Sequence, residues 1–164
     1  MMSITDELLA NNEQYAANFA NGDLPSIPAK KVAVLACMDA RLHPNKALGL
    51  EEGDAHVIRN AGGVVTEDEI RSLAISQNMH GTEEVVLIHH TDCGMLDFTD
   101  EEFKRQLEEA YGKRPHWDSG AFEDIETNLR ESIARIKASP FIPNKDSIRG
   151  FVYDVETGRL REVS

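Results

Sequence analysis

Two short clusters of reactive side chains stand out in the sequence, each directly after an apolar run. The first cluster has Cys37, Asp39 and Arg41 at every second position, and the second cluster consists of His90 and Cys93. The chain has only two cysteines, and both lie in these clusters. Two thiolates and an imidazole are the donors that a catalytic zinc ion uses when its fourth position stays open for water. The spacing therefore predicts one Zn²⁺ per subunit, held by Cys37, His90 and Cys93.

Other histidines compete for the role of the nitrogen ligand. His89 precedes His90, but alternation along a strand turns the two side chains to opposite faces. The two-residue gap between His90 and Cys93 also suits a chelating turn. We therefore predict that His90 is the ligand and that His89 is packed or hydrogen-bonded. His43, just past Arg41, is either a proton shuttle or an exposed loop histidine.

Each of these residues also has a simpler explanation when it is considered alone. A cysteine after an apolar strand is most often a small core residue. An Asp-x-Arg pair such as Asp39 and Arg41 is usually a surface salt bridge of little energetic value. The occurrence of both cysteines, His90 and this pair together favours a metal site over the separate explanations.

Alternating strand and helix patterns predict the elements that must position these residues. Short apolar runs with many β-branched residues predict strands over 31–36, 55–59 and 84–88. Helical spacing predicts helices over 5–19 and 122–136, and capping boxes at Thr66 and Thr99 begin two more, which end at Gly81 and Gly112. The segments 148–155 and 159–163 are predicted to form a strand and its hairpin partner.

This order of elements predicts an α/β fold in one domain over 1–164. The expected core, 29–164, has a mostly parallel central sheet of about four strands plus a C-terminal hairpin strand, flanked by helices. Residues 1–28 are expected to form an N-terminal helix and arm. Sites in such sheets lie beyond the carboxyl ends of the strands where the winding reverses. Neighbouring positions for the first and third strands would bring the two clusters together there.

Composition limits the classes of partner. The formal net charge is −12 and the isoelectric point about 4.9, which argues against nucleic acid or an anionic membrane and favours a small-molecule substrate. The first residues lack a signal-peptide pattern, and no apolar run approaches the length of a membrane span. We therefore expect the cytoplasm, where thiols stay reduced and cysteines more often bind metal or react.

The motifs Cys37-x-Asp39-x-Arg41 and His90-x-x-Cys93-Gly94, with 57–62 (VIRNAG) between them, resemble the β-class carbonic anhydrases. The run 149–158 is similar to the last core strand of that family, so the resemblance extends from about residue 30 to the end. The similarity is to a short Asp-Ala-Arg subgroup that also includes hydrolases of carbonyl sulfide and similar carbon–sulfur compounds. Ala40 departs from the serine that is commoner in the family, which leaves the substrate open.

The resemblance implies a zinc lyase that hydrates CO₂ reversibly to bicarbonate by a zinc-bound hydroxide. A carbonyl sulfide or carbon disulfide hydrolase using the same hydroxide is the alternative, and a non-catalytic zinc or redox module is a third possibility. Because two thiolates donate more charge than neutral imidazoles, the bound water should be less acidic than in an all-histidine site. Activity is therefore expected to rise toward alkaline pH.

The resemblance also implies catalytic roles for Asp39 and Arg41 and an oligomeric protein. Arg41 would hold the Asp39 carboxylate off the metal, where it accepts a hydrogen bond from the hydroxide. In the family's other state the aspartate itself ligates zinc, and the sequence leaves this choice open. Members of the family are homodimers or homotetramers whose N-terminal helix lies across the partner, although the helix over 5–19 could equally pack on its own domain.

The glycine-containing run 60–63 (NAGG) precedes a predicted helix and therefore resembles a phosphate cradle. It lacks the spacing of a P-loop or a dinucleotide fingerprint. Three acidic residues, Glu67, Asp68 and Glu69, also place negative charge at that helix terminus. We predict instead that Gly62 and Gly63 let the backbone approach the metal cleft closely.

Overall fold

A five-stranded sheet forms the centre of the protein, which is described by a computed structural model covering residues 1–164. The strands are β1 (Val32–Cys37), β2 (Ala55–Asn60), β3 (Glu84–His90), β4 (Ile148–Tyr153) and β5 (Leu160–Val163). Their order in the sheet is β2-β1-β3-β4-β5, with β1 to β4 parallel and β5 antiparallel to β4. The α/β fold class with a mostly parallel sheet and a C-terminal hairpin is therefore confirmed.

Five helices flank the sheet or precede it. They are α1 (Ile4–Ala17), α2 (Pro44–Leu48), α3 (Glu67–His80), α4 (Asp100–Tyr111) and α5 (Ile125–Ala138). The capping boxes at Thr66 and Thr99 are both formed, and Gly81 and Gly112 end their helices in the left-handed conformation, as predicted. No helix is both long enough and apolar enough to pass through a lipid bilayer.

Two helices differ from the sequence-based expectation. The short helix α2 was not predicted, because five residues are too few to show a helical period. Helix α5 begins at Ile125 rather than at Phe122, because the Asp124 carboxylate accepts a hydrogen bond from the Thr127 amide at 2.7 Å and so caps the helix there. Phe122 instead lies in the preceding loop and is buried.

The two faces of the sheet carry separate apolar cores. On one face, Leu35 of β1 and Leu87 of β3 pack with side chains of α3 and α5, including Leu73, Leu129 and Ile136. On the other face, Val34 and Ile88 continue into a cluster that contains both cysteines. The predicted ligands are therefore held by the second core rather than by a surface loop.

The winding of the sheet reverses between β1 and β3. Strand β1 pairs with β2 on one side and with β3 on the other, and Ala36 lies opposite Ile88 in the register. Cys37 ends β1 and His90 ends β3, so the carboxyl ends that carry the two clusters are neighbours. This is the arrangement that the sequence analysis required for a shared site.

Helix α1 stands apart from both cores. None of its residues is buried, and Ile4, Leu8 and Leu9 are each at least 60% exposed. Two hydrogen bonds join the region 15–21 to the loop before β2: Tyr15 donates to the Glu52 carboxylate, and Asn21, past the end of the helix, donates to the same carboxylate at 2.8 Å. The expected N-terminal helix is present, but its apolar side chains contribute nothing to the core of its own chain.

Candidate metal centre

The side chains of Cys37, His90 and Cys93 converge at the carboxyl ends of β1 and β3. The two cysteine sulfurs and one ring nitrogen of His90 all lie within 4.8 Å of one another, and all three residues are buried. Asp92, with a φ of 53°, turns the chain after β3 so that Cys93 faces back toward His90. The three residues predicted from the sequence are thus brought to one point.

The hydrogen bonds of His90 leave one ring nitrogen free. Its Nδ1 lies 2.8 Å from the Thr91 carbonyl oxygen, which can only accept, so Nδ1 carries the proton. The other nitrogen, Nε2, is buried and has no hydrogen-bond partner. His89 Nδ1 is likewise buried without a partner, so what distinguishes His90 is that its ring lies within 4.8 Å of both cysteine sulfurs. A ring held through one nitrogen, with the other directed to a metal, is the usual arrangement for a metal-ligating histidine.

The two cysteines supply donors that suit zinc. Both are free thiols, and the interaction between the two neighbouring thiols lowers the pKa of Cys37 and raises the pKa of Cys93. Burial opposes the thiolate form of Cys37, so a cation at this position would relieve an otherwise costly charge. Two sulfurs and one imidazole nitrogen fit a zinc ion that leaves its fourth position for water.

His89 lies in a different environment from His90, as predicted. Its Nε2 is 2.8 Å from Asn128 Oδ1, and its ring stacks on Phe122 at a centroid distance of 5.3 Å. Burial lowers the pKa of His89. His43 precedes helix α2 as an exposed residue whose side chain makes no capping hydrogen bond.

Asp39 and Arg41 form a close ion pair at the mouth of the site. Arg41 donates to Asp39 Oδ1 from Nε at 3.0 Å and from its backbone amide at 2.8 Å, and it donates to Oδ2 from Nη2 at 2.8 Å. These bonds hold the pKa of Asp39 well below its usual range, although burial opposes them. Asp39 Oδ2 remains 3.7 Å from His90 Nε2, so the carboxylate lies beside the converging donors while it is paired with Arg41.

Arg41 is anchored in turn by Asp92, a residue to which the sequence analysis assigned no role. Nη1 of Arg41 donates to Asp92 Oδ2 at 2.9 Å, and Nη2 donates to the Asp92 carbonyl at 3.0 Å. The two clusters are therefore linked by a hydrogen-bonded chain from Asp39 through Arg41 to the turn that carries Cys93. The only signal in the sequence was the position of Asp92 beside that cysteine.

A mostly apolar cleft of about 600 Å³ opens onto the three donors. Its aromatic wall contains Phe103 of α4, whose ring lies 5.4 Å from Phe98 and 6.2 Å from Trp117. This wall was not predictable from the sequence, because its residues come from separate segments. The large apolar side chains that line the cleft are Met38, Met95, Phe98, Phe103 and Trp117.

The glycine run after β2 passes directly beneath the site. Gly62 and Gly63 are buried and have φ values of 88° and 65°, which favour glycine. The Asn60 side chain donates to the Val64 carbonyl at 2.7 Å and closes the turn. The glycines thus bring backbone close to the metal cleft, as predicted.

The mostly parallel α/β sheet carries at its switch point two cysteines and one histidine that could bind a metal, beside an aspartate–arginine pair, and this arrangement is typical of enzymes that activate water. A family model described as carbonic anhydrase matches residues 32–160. The chain belongs to the β-carbonic anhydrase family, as its motifs indicated.

Three relatives illustrate the range of the family. The chain is 54% identical over 163 residues to "Beta-carbonic anhydrase 1" of Mycobacterium tuberculosis, with 99% of each chain covered. It is 48% identical in sequence to a carbonic anhydrase from Streptococcus mutans whose crystal structure is known. The two structures superpose with a TM-score of 0.94, over 100% of this chain and 99% of the other. A "Carbon disulfide hydrolase" of Acidianus sp. is 36% identical, over 96% of this chain and 87% of the relative.

Proposed function

We propose that this protein is a zinc-dependent carbonic anhydrase that reversibly hydrates CO₂ to bicarbonate. The observation that carries the proposal is the convergence of Cys37, His90 and Cys93 within 4.8 Å of one another, together with the buried and unpaired Nε2 of His90. We assign these three residues as the ligands of one Zn²⁺ per subunit. A zinc ion held there would supply the Lewis acidity that makes water a nucleophile near neutral pH.

In this proposal, Asp39 and Arg41 would orient the attacking water and keep the fourth metal position free. Asp39 Oδ2 lies 3.7 Å from His90 Nε2, where it would accept a hydrogen bond from such a water and so point an oxygen lone pair at the carbon of CO₂. Arg41 holds Asp39 back through both of its carboxylate oxygens. In this arrangement Asp39 stays ionised, because the same bonds lower its pKa, and its carboxylate lies outside the group of three donors.

The shape and polarity of the cleft favour a small linear substrate of low polarity. Met38, Met95 and Trp117 line the path to the proposed zinc site, and CO₂ can cross such a lining without losing hydrogen bonds. Carbonyl sulfide and carbon disulfide share these properties, so the same cleft would admit them. Sequence identity favours CO₂ as the substrate, since the relatives named as carbonic anhydrases are up to 54% identical to this chain and those named as carbon disulfide hydrolases up to 37%.

The decisive experiment compares substrates on zinc-loaded protein. CO₂ hydration is followed by stopped-flow with a pH indicator, and hydrolysis of carbonyl sulfide and carbon disulfide is followed by sulfide release. We expect CO₂ hydration with a kcat/KM of at least about 10⁴ M⁻¹ s⁻¹ and much slower release of sulfide. Sulfide release without CO₂ hydration would support the hydrolase instead, and inactivity toward all three would leave a zinc or redox module.

We also propose that the protein is a homodimer or a homotetramer of such dimers, in which α1 packs on a second copy. The support is the exposure of Ile4, Leu8 and Leu9, which no part of their own chain covers. Relatives of known structure include tetrameric β-carbonic anhydrases from Sordaria macrospora.

We propose the cytoplasm as the place where the protein works. Two free thiols at the proposed zinc site support this location, because an oxidising compartment would favour a disulfide between them.

A further inference from the structure

Arg59, the residue before the end of β2, binds the loop that carries the proposed catalytic pair. Its Nη2 lies 2.7 Å from the Cys37 carbonyl oxygen, 2.9 Å from that of Asp39 and 2.7 Å from that of Leu42. Its Nε donates to the Cys37 carbonyl as well, at 3.1 Å. We propose that Arg59 is a positioning residue, which fixes Asp39 beside the metal site by holding the backbone on both sides of it.

The three carbonyls belong to the end of β1 and to one tight turn. The Leu42 amide donates to the Asp39 carbonyl at 3.1 Å, which closes a turn with Asp39 first and Leu42 last. Arg59 therefore holds both ends of this turn and the strand residue before it. The Leu42 side chain is 1% exposed and anchors the turn to the core from the other side.

A guanidinium group suits this task better than any other side chain. It presents five N–H donors in one rigid plane, whereas a lysine ammonium is a compact charge on a flexible stem. Several carbonyl oxygens can therefore be held in a fixed relation to one another by Arg59 alone. A lysine at this position could reach one or two of them, which makes Arg59→Lys a graded test rather than a complete loss.

Control of the turn matters because Asp39 works at short range. Its Oδ2 is 3.7 Å from His90 Nε2, so a small movement of the turn would carry the carboxylate onto the proposed metal position or away from the attacking water. Misplacement by about 1 Å can reduce a rate about 100-fold. Arg41 sets the direction of the Asp39 side chain, and Arg59 sets the position of its backbone.

The role of Arg59 rests on the proposed function, so the test includes a readout that does not depend on CO₂. Wild type, Arg59→Ala and Arg59→Lys are compared, with Arg149→Ala as the matched control. Arg149 is likewise an exposed strand arginine, but its side chain pairs with Glu162, at 2.6 and 2.7 Å, and lies over the Phe151 ring rather than on a backbone turn. Three quantities are measured: zinc per chain, kcat and KM for CO₂, and azide binding to Co²⁺-loaded protein by its visible spectrum.

We expect Arg59→Ala to retain zinc while its kcat falls about 10- to 100-fold with little change in KM. Its azide dissociation constant should change by at least about fivefold, because the loosened Asp39 competes for the same position. Arg59→Lys should recover part of both effects. Arg149→Ala should match wild type in all three measurements.

Two results would overturn the role of Arg59. One is wild-type kinetics and azide binding in Arg59→Ala. The other is a loss of activity that merely follows lost zinc, with kcat per bound zinc and azide binding unchanged. If Arg59→Ala does not fold, Arg59→Lys decides between the same outcomes. If wild type binds zinc but does not hydrate CO₂, the proposed function fails, and the azide titrations still decide whether Arg59 positions the turn.

Discussion

Gly63 lies so close to Cys37 that no side chain fits between them. A Cβ atom built on Gly63 would be 2.9 Å from the Cys37 backbone nitrogen and 3.1 Å from the carbonyl oxygen of Ile88. These neighbours are backbone atoms at the ends of two central strands, so neither can move aside without disturbing the sheet. The close approach of Gly63 therefore helps to hold the strand ends that carry the proposed ligands.

Gly63→Ala is expected to lower the free energy of unfolding by about 2–4 kcal/mol and to weaken zinc binding. The matched control is Gly81→Ala. Gly81 has a similar φ, 69° against 65°, but an added Cβ there meets nothing within 4 Å. Gly81→Ala should therefore lower the free energy of unfolding by only about 1 kcal/mol, which is the cost of placing alanine at a positive φ. Urea unfolding and zinc analysis measure both effects, and equal losses in the two variants would contradict the steric explanation.

The adjacent histidines allow a direct test of the proposed ligand set. His90→Gln should reduce bound zinc from about one per chain toward zero and abolish CO₂ hydration, because only two donors remain. His89→Gln should keep zinc, since His89 contacts Asn128 and Phe122 rather than the three donors. Zinc is measured by plasma emission after dialysis against a weak chelator. Retention of zinc by His90→Gln and loss by His89→Gln would reverse the assignment.

Removal of the Arg41 side chain should release Asp39. Arg41→Ala is expected to lower kcat/KM for CO₂ by about 10- to 100-fold, because the freed carboxylate no longer orients the water or leaves the metal position open. Asp92→Asn is the control for the outer end of the hydrogen-bonded chain. The Asp92 side chain is 80% exposed, and asparagine tolerates the positive φ of this residue, so the loss should be about fivefold at most. Comparable losses of kcat/KM in the two variants would contradict the view that Arg41 holds Asp39 directly and that the Asp92 side chain only supports Arg41.

The parts of the structure that local sequence determines were predictable. The apolar runs that form β1 and β3 are visible as short buried segments, and the capping boxes at Thr66 and Thr99 depend on residues three positions apart. Strand alternation was sufficient to separate His90 from His89. Because both clusters follow strands, their convergence required only that those strands be neighbours, and the sheet order confirms it.

The parts that depend on distant side chains were not predictable. Arg41 and Asp92 are 51 positions apart, and neither the pattern of charges nor the spacing indicates that they meet. The contacts of Arg59 with three carbonyls require the turn at Asp39 to fold back over β2. One sequence cannot distinguish such an arginine from the many that form surface ion pairs.

The exposed apolar side of α1 predicts a change in oligomeric state. Leu8→Glu combined with Leu9→Glu should convert the proposed dimer to monomer at micromolar concentration, since two charges would be buried without partners. The control is Ala10→Glu with Gln14→Glu, which adds the same charge to exposed positions on the opposite side of the same helix. Sedimentation velocity gives the mass of each variant, and far-UV circular dichroism checks the helix. A Leu8/Leu9 variant with the mass of wild type would exclude this face of α1 from the interface.

The pair of histidines at the edge of the sheet predicts how stability depends on pH. His56 Nδ1 lies 2.8 Å from Ser76 Oγ, and its ring packs edge-on against His80 at 5.3 Å. Burial, with a smaller effect of His80, lowers the pKa of His56 below its usual value. The unfolded chain, with a pKa of about 6.5 at this residue, therefore binds the proton more readily than the folded protein does. The contribution of His56 to stability is complete above that pH and is lost as the pH falls through the folded pKa.

Because other histidines also titrate, the difference between wild type and His56→Gln isolates this effect. His89 has a lowered pKa and contributes with the same sign, whereas His90 has a raised pKa and contributes with the opposite sign. Between pH 7.5 and 5.5, the free energy of unfolding should fall more steeply in wild type than in His56→Gln, by less than about 1.4 kcal/mol per pH unit. Urea unfolding at each pH provides the values, and His116→Gln controls for the removal of an exposed imidazole. Parallel curves for wild type and His56→Gln would mean that protonation of His56 does not destabilise the packing of α3 on β2.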